Sequence, residues 1–265
     1  MNILLGILSH RSLVLASLGY FATACANADE LVFAFRVLPP YMVKLENGQY
    51  SGSHVEIMQK LSQAVGASLV IKECPLARCI RMLQDGSADV AMGLAPTPER
   101  APYMAFLSPP YAHGTPTYFF QRADDTRTIR SFDDLRPLRI GVINGVRYFD
   151  EFDNDKTLLK DLATDNHQNF AKLLAKRIDV IPLGANAGAA TEALPEFTGK
   201  LKRAEYVRPN PVERYIVLSR KSGWMERRNQ LESRLAQLVN TGVISQIMNR
   251  YETATPAGCK SATQC

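Results

Sequence analysis

The sequence predicts an α/β fold built from two similar units. Strand-like and helix-like patterns alternate in the order βαβαβ between residues 31 and 92, which is typical of a parallel sheet with helices on its faces. A leucine-bearing helix, a polar turn, Asp-Val, an apolar run and a Gly occur over 83–93 and again over 173–184. The 265 residues are enough for one large or two medium domains, and the recurrence indicates two.

The first unit consists of five segments. β-branched and aromatic residues predict its strands, and apolar residues at helical spacing that stop at a Gly predict its helices. In chain order these are a strand at 31–37, a helix at 53–65, a strand at 68–72, a helix at 76–85 and a strand at 88–92. Ser53 and Glu56 have the spacing of a capping box at the start of the first helix.

The second unit begins with a strand that leads out of the first. The same criteria predict strands at 117–120, 138–143, 178–183 and 215–219. The strand at 215–219 ends the second unit. Two helices close the chain, the first with Trp224 and three leucines and the second with Ile244 and Ile247 at helical spacing. Residues 253–265 form a polar tail.

The N-terminal segment differs in composition from the rest of the chain. Residues 1–28 combine Arg11, an apolar run and a stretch of small residues, which is the pattern of a secretory signal peptide, cleaved after Ala26 or Ala28. Cys25 leaves lipid attachment open as an alternative, and a retained anchor is another, although the run is short for a membrane span. We therefore expect a periplasmic protein.

Cysteine usage fits an exported chain. Without Cys25, four cysteines remain, and their spacing predicts two local disulfides in an oxidising compartment. The predicted pairs are Cys74 with Cys79 and Cys259 with Cys265. Free buried thiols are the alternative. The spacing does not resemble a metal site, and we predict no metal or cofactor.

Composition excludes several function classes. The formal charge is +5, and no long basic block with interleaved aromatic residues occurs, so nucleic acid is not an expected partner. The chain also lacks Gly-x-Ser-x-Gly, His-Glu-x-x-His and a phosphate loop. Binding without catalysis is therefore favoured.

The segment 93–100 is the strongest candidate for a ligand site. It follows a predicted buried strand, and the carboxyl ends of strands in open α/β sheets are where ligands bind. Arg100 supplies a planar fork of donors that suits a carboxylate. The alternative is that Thr97 caps a short helix that begins at Pro98, with Arg100 in solvent.

Five motifs in a fixed order give the chain its resemblance to a known family. They are Gly52-x-x-x-Glu56, Leu83-x-x-Gly86-x-x-Asp89-Val90, Thr97-Pro98-Glu99-Arg100, Phe106-x-Ser108-x-Pro110-Tyr111, and Asn240-Thr241-Gly242 followed by Arg250-Tyr251. Over about residues 31–251 the chain resembles the family-3 extracellular solute-binding proteins, periplasmic receptors associated with polar amino-acid uptake.

The resemblance implies a two-lobed periplasmic-binding-protein fold of type II. Each lobe would be a mainly parallel sheet with helices on both faces, and two hinge crossovers near 113–117 and 212–215 would let the lobes close on a ligand. Lobe one would comprise 29–115 plus 213–252, and lobe two 116–212.

The resemblance also implies roles for individual residues. Arg100 would grip a carboxylate, Tyr41 would cover the ligand, and backbone groups near Gly93 would bind its polar end. We also assign Thr97 and Tyr111, from the same motifs, to the site. A further candidate, Arg78 next to Cys79, either points into the cleft or lies in solvent.

Lobe two departs from the family pattern. Gly145 is followed by Val146 and Arg147 where a Thr is usual, and no acidic residue follows the second Asp-Val strand, where Gly184 leads to Asn186. The first helix starts with Ser53 and His54, without the usual Asp. An ammonium group in a closed cleft needs a paired charge, so a standard α-amino acid is disfavoured. Arg147 favours an anionic or dicarboxylate ligand, unless it faces solvent.

We therefore predict a monomeric binding protein, not an enzyme. It would capture a small polar, carboxylate-bearing molecule and pass it to a membrane permease for ABC-type uptake. The alternatives are an orphan receptor that feeds a sensor, or a cyclic-acid dehydratase-like enzyme on the same scaffold, with His54 or Glu56 as the general acid or base.

Overall fold

The computed structural model describes residues 29–253, in which two β-sheets carry the site and helices pack on their faces. The strands are β1 (Glu30–Phe35), β2 (Val43–Lys44), β3 (Tyr50–Ser51), β4 (Ser68–Glu73), β5 (Val90–Leu94), β6 (Met104–Phe106), β7 (Thr117–Arg122), β8 (Arg139–Ile143), β9 (Leu159–Ala163), β10 (Ile181–Gly184), β11 (Leu201–Arg208) and β12 (Tyr215–Ser219). The helices are α1 (Ser53–Ala64), α2 (Leu76–Asp85), α3 (Asp150–Asn154), α4 (Asn166–Leu174), α5 (Ala185–Glu192), α6 (Arg228–Asn240) and α7 (Val243–Thr253).

The first sheet has the strand order β4-β1-β5-β12-β6. β1 runs parallel to both β4 and β5, whereas β12 runs antiparallel to β5 and β6. The parallel strands come from the predicted βαβαβ unit. β12 enters this sheet from the opposite end, because the chain returns there from the second sheet.

The second sheet combines a parallel and an antiparallel part. β8 pairs with β9 in parallel, β7 pairs antiparallel with β10 and β11, and a parallel bridge between Ile140 and Val180 joins the two parts. The predicted α/β fold with two sheets is confirmed. Each sheet is more mixed than predicted, since the strands next to the crossovers run antiparallel.

The chain crosses between the sheets twice, over 107–116 and 209–214. The two crossovers lie side by side, because Ala112 and Arg214 form an antiparallel bridge in which the Arg214 amide donates to the Ala112 carbonyl oxygen at 2.8 Å. The predicted crossovers near 113–117 and 212–215 overlap these segments. The lobe boundaries at 115, 116, 212 and 213 stay a prediction.

The recurring Asp-Val sequence has one structural explanation in both units. The Asp89 carboxylate accepts the backbone N–H of Val32 at 2.8 Å, and the Asp179 carboxylate accepts the backbone N–H of Arg139 at 2.8 Å. In each unit the aspartate lies just before an apolar segment. Its carboxylate accepts a backbone N–H from the first half of the neighbouring parallel strand. The recurrence therefore marks equivalent strand pairs.

Both faces of the first sheet are buried under helices. Alternate side chains of β1 point to opposite faces, so Phe33 and Phe35 pack with residues of α1, α6 and α7, whereas Ala34 packs with Leu76 and Leu83 of α2. The second sheet is divided in the same way, with Phe119 and Phe120 in separate apolar clusters. Two buried faces per sheet keep the strand ends fixed where the site lies.

The predicted capping box of the first helix is wrong. Gly52 is the N-cap of α1 and Ser53 is already its first residue, so the spacing from the cap to Glu56 does not fit the motif. The Ser53 hydroxyl is buried without a hydrogen-bond partner within residues 29–253. The Glu56 carboxylate instead accepts a hydrogen bond from Arg250 of α7 at 3.0 Å.

The predicted disulfide between Cys74 and Cys79 is confirmed, with Cα atoms 5.4 Å apart. It joins the end of β4 to the first turn of α2. The proposed signal peptide with Cys25, the pair Cys259 and Cys265, and the polar tail after 253 lie outside the described residues. No helix within 29–253 is long and apolar enough to cross a membrane.

Candidate functional site

A cavity of about 410 Å³ lies between the two sheets. It is open to the carboxyl ends of β5 and β8 and is bounded by the crossovers. Seven of the eight predicted ligand-binding residues line it, namely Tyr41, Gly93, Thr97, Arg100, Tyr111, Gly145 and Arg147. Their assignment to ligand binding stays a prediction, but the fold brings them to one place.

Arg78 is the predicted site residue that does not line this cavity. Leu76, Cys79 and Leu83 form the buried face of α2, and Arg78 falls on the opposite, exposed face. Because an α-helix has 3.6 residues per turn, Arg78 lies on the side of the helix away from the three buried residues.

Arg100 is almost fully buried, with 5% of its surface exposed. Its Nη1 donates to the Ala95 carbonyl oxygen at 2.8 Å, and its Nη2 donates to the Gly145 carbonyl oxygen at 2.9 Å. Burial lowers the pKa of the guanidinium. Residues 97–103 form turns rather than a helix capped by Thr97, so the interpretation of Arg100 as a buried cleft residue holds. The side chain bridges the two sheets.

Two arginines that the sequence did not single out line the cavity without forming an ion pair within residues 29–253. Arg36 directly follows β1, and Arg214 directly precedes β12. Neither forms an ion pair with any residue in the described chain, and Arg36 Nε is buried without a hydrogen-bond partner there. Burial lowers the pKa of Arg36 to about 10, and the positive charges of Arg214 and Arg100 contribute. The position of Arg36 directly after the first strand is the sequence feature that could have identified it as a site residue.

His54 forms an aromatic cluster with two predicted site residues. Its ring stacks on Tyr41 with centroids 5.1 Å apart and meets Tyr111 edge-on at 5.3 Å. The His54 Nε2 and the Tyr111 hydroxyl are 3.0 Å apart, within hydrogen-bond distance. Burial lowers the pKa of His54 to about 3, and Arg214 and Arg36 lower it further by charge repulsion. The imidazole is therefore neutral at pH 7.

The charged residues at the mouth of the cavity are paired. Arg147, half-exposed, lies 3.5 Å from the Glu99 carboxylate, and Arg208 lies 3.8 Å from the Glu151 carboxylate and over the Phe149 ring. Such exposed pairs contribute little to stability. Within residues 29–253, no group of three or more His, Cys, Asp or Glu side chains is arranged to hold a metal ion.

The low pKa of His54 predicts a specific acid sensitivity. The unfolded chain takes up a proton on this group near pH 6.5, but the folded protein does so only near pH 3. The unfolded state therefore binds more protons between these values, and the stability of the folded state falls as the pH falls through this window, by at most about 1.4 kcal/mol per pH unit. The His54→Gln variant lacks this term.

We expect wild-type Tm to fall more steeply than that of His54→Gln between pH 6.5 and 4.5, as measured by thermal unfolding in matched buffers. The exposed His167→Gln variant is the control and should follow the wild type. Parallel curves for wild type and His54→Gln would contradict a neutral, buried imidazole.

Two sheets joined by two crossovers, with a cavity of unpaired cations between them, define a two-lobed binding-protein architecture. Residues 31–254 match the family model of bacterial extracellular solute-binding proteins, family 3. The chain belongs to this family. No curated protein sequence gives a significant match.

Solved structures of the same fold are numerous. The substrate-binding protein of an amino acid ABC transporter superposes with a TM-score of 0.72 at 21% identity, covering 84% of this chain and 98% of that one. AbpA from Streptococcus pneumoniae, bound to L-arginine, gives 0.73 at 19% identity, with coverage of 86% and 97%. A histidine kinase sensor domain gives 0.70 at 22% identity, with coverage of 84% and 95%. At these identities the similarity shows the fold alone.

Proposed function

We propose that this protein captures a small carboxylate-bearing anion in the cavity between its lobes and delivers it to a membrane permease for ABC-type uptake. The observation that carries the proposal is that two arginines of the cavity form no ion pair within residues 29–253. Arg36 and Arg214 face the cavity without a carboxylate partner in the described chain. Charges withdrawn from water without a partner are unfavourable, and an anionic ligand would supply that partner.

Arg100 gives the proposal a mechanism for closure. Its guanidinium uses two of its five N–H donors on Ala95 and Gly145, which follow strands of different sheets. A ligand carboxylate bound to the remaining donors would be held where the two sheets meet. Binding would then favour the closed arrangement, since a ligand shifts an equilibrium by its differential affinity for the two states.

Export to the periplasm is part of the proposal. Residues 1–28 have the pattern of a signal peptide, and the Cys74–Cys79 disulfide is typical of an oxidising compartment. Delivery to a permease, rather than to a sensor, is tested by uptake of labelled ligand in a strain that lacks the protein. Intact uptake with a lost transcriptional response would favour the sensor.

Ligand binding is tested by thermal shift of the purified protein. We expect carboxylates to raise Tm and amines of equal size to leave it unchanged, with chloride at equal ionic strength as the reference. A ligand at a hundred times its Kd adds about 2.7 kcal/mol to the free energy of unfolding. Arg100→Gln should abolish the shift. Arg130→Gln, which removes an exposed arginine that is paired with Glu205 and does not line the cavity, should keep it. Stabilisation by amines alone would refute the proposal.

A further inference from the structure

The cavity has a second group of cationic residues, apart from Arg100. β1 and β12 lie on either side of β5 in the first sheet. Arg36 leaves the carboxyl end of β1, and Arg214 enters the start of the antiparallel β12, so both lie at the same edge of the sheet. Adjacent strands are about 4.8 Å apart, which places the two backbones about 10 Å from each other, within reach of two long side chains that converge.

Both side chains line the cavity together with His54 and Tyr111. Burial lowers the pKa of His54, and the positive charges of Arg214 and Arg36 lower it further. Burial raises the pKa of Tyr111, and the same two charges oppose that rise. Two polar atoms here have no partner in the described chain, His54 Nδ1 and Arg36 Nε. His54 is 3% exposed. A buried polar atom without a partner costs free energy, so polar groups at this end of the cavity are incompletely satisfied within the described chain.

The carboxylates of the cavity do not neutralise this group. Glu151 pairs with Arg208 at 3.8 Å, and Asp153 accepts the Tyr148 amide at 3.0 Å. Burial raises the pKa of Glu252 and the neighbouring Asn186 side chain opposes that rise, whereas Asp150 is exposed in the first turn of α3. None of the four forms an ion pair with Arg36 or Arg214. An ammonium group next to these two arginines would meet repulsion without compensation.

We propose that the ligand carries two anionic groups and no ammonium group, with one anion at Arg100 and the second between Arg36 and Arg214 beside His54. This inference rests on the proposed function and specifies its ligand class. The second anion accepts hydrogen bonds from the two guanidinium groups. Tyr41, stacked on His54, covers this end of the cavity.

The test is isothermal titration of the purified protein with matched probes. The probes are unbranched dicarboxylates of three to six carbons, the monocarboxylates of equal length, glutamate and γ-aminobutyrate. We expect one dicarboxylate to bind at least tenfold more tightly than its monocarboxylate and than glutamate. Arg36→Gln and Arg214→Gln should each weaken dicarboxylate binding at least tenfold and monocarboxylate binding less than threefold.

The control variant is Arg130→Gln, which removes an exposed arginine paired with Glu205 in the second sheet and should leave all affinities unchanged. Tm without ligand verifies that each variant is folded. Equal affinity for mono- and dicarboxylates, or tighter binding of glutamate, would overturn the inference while the proposed function stands. Failure of every carboxylate to bind would overturn the proposed function as well.

Discussion

Replacing Gly52 with Ala is expected to lower the free energy of unfolding by about 3 kcal/mol. Gly52 is the N-cap of α1 at φ +110°, a backbone region that L side chains rarely adopt. A Cβ there would also collide with the backbone carbonyl oxygens of Tyr41 and Pro40. The Tyr41 carbonyl accepts the His54 amide at 2.9 Å, so neither side of the contact is free to move.

The measurement is urea or thermal unfolding, with a decrease in Tm of about 10 °C for a domain of this size. Gly48→Ala is the matched control, because Gly48 has φ +79° but a Cβ there meets nothing within 4 Å. It should cost about 1 kcal/mol, from the backbone conformation alone. If the two variants were equally stable, the close approach between the Tyr41 loop and α1 would not be rigid.

The same contact links the fold to the site. Tyr41 and His54 are stacked because the loop before α1 is held against the start of the helix. The sequence indicates where the helix begins, since Gly52 precedes a clear helical pattern. It does not show that the carbonyl of Tyr41 lies against Gly52. For that reason the spacing of Ser53 and Glu56 predicted a capping box, whereas the N-cap is Gly52.

The apolar strands were predicted correctly, whereas the charged strands β9 and β11 were not predicted. β1, β5, β8 and β12 are apolar runs with both faces covered, so their composition alone indicates strands. β9 and β11 each pair on one side only, at the edges of the second sheet. Leu159 and Leu162 of β9 are 55% and 62% exposed, so the leucines of this strand do not indicate a buried segment.

The residues of the candidate site also differ in whether a local sequence pattern reveals them. Arg100 was found because a strand, a Gly and a turn precede it within one short segment. Arg36 and Arg214 are far apart in the chain, and only the strand order β1-β5-β12 places them at one edge. A single sequence does not contain that order, since β12 joins the sheet after the chain has passed through the second sheet.

Replacing Asp179 with Ala is expected to lower the free energy of unfolding by about 2 kcal/mol. Its carboxylate is 9% exposed and accepts four hydrogen bonds, three from Arg139 at 2.8–3.1 Å and one from Arg127 at 2.9 Å. Burial raises the pKa of Asp179, but the hydrogen bonds from Arg139 and Arg127 outweigh it and hold the pKa well below its usual range. Removal leaves the backbone amide of Arg139 without its acceptor and takes one carboxylate partner from each guanidinium group, although Arg127 keeps Asp125.

The pH dependence of this effect separates it from simple loss of packing. Because the folded-state pKa is depressed, the stabilisation is complete above about pH 4 and is lost as the pH falls below that value. The difference between wild type and Asp179→Ala in urea unfolding should therefore be large at pH 7 and smaller at pH 3. Asp133→Ala, which removes an exposed carboxylate paired with Arg136, is the control and should change little at either pH. A difference that is constant with pH would show that the charge of Asp179 does not stabilise the second sheet.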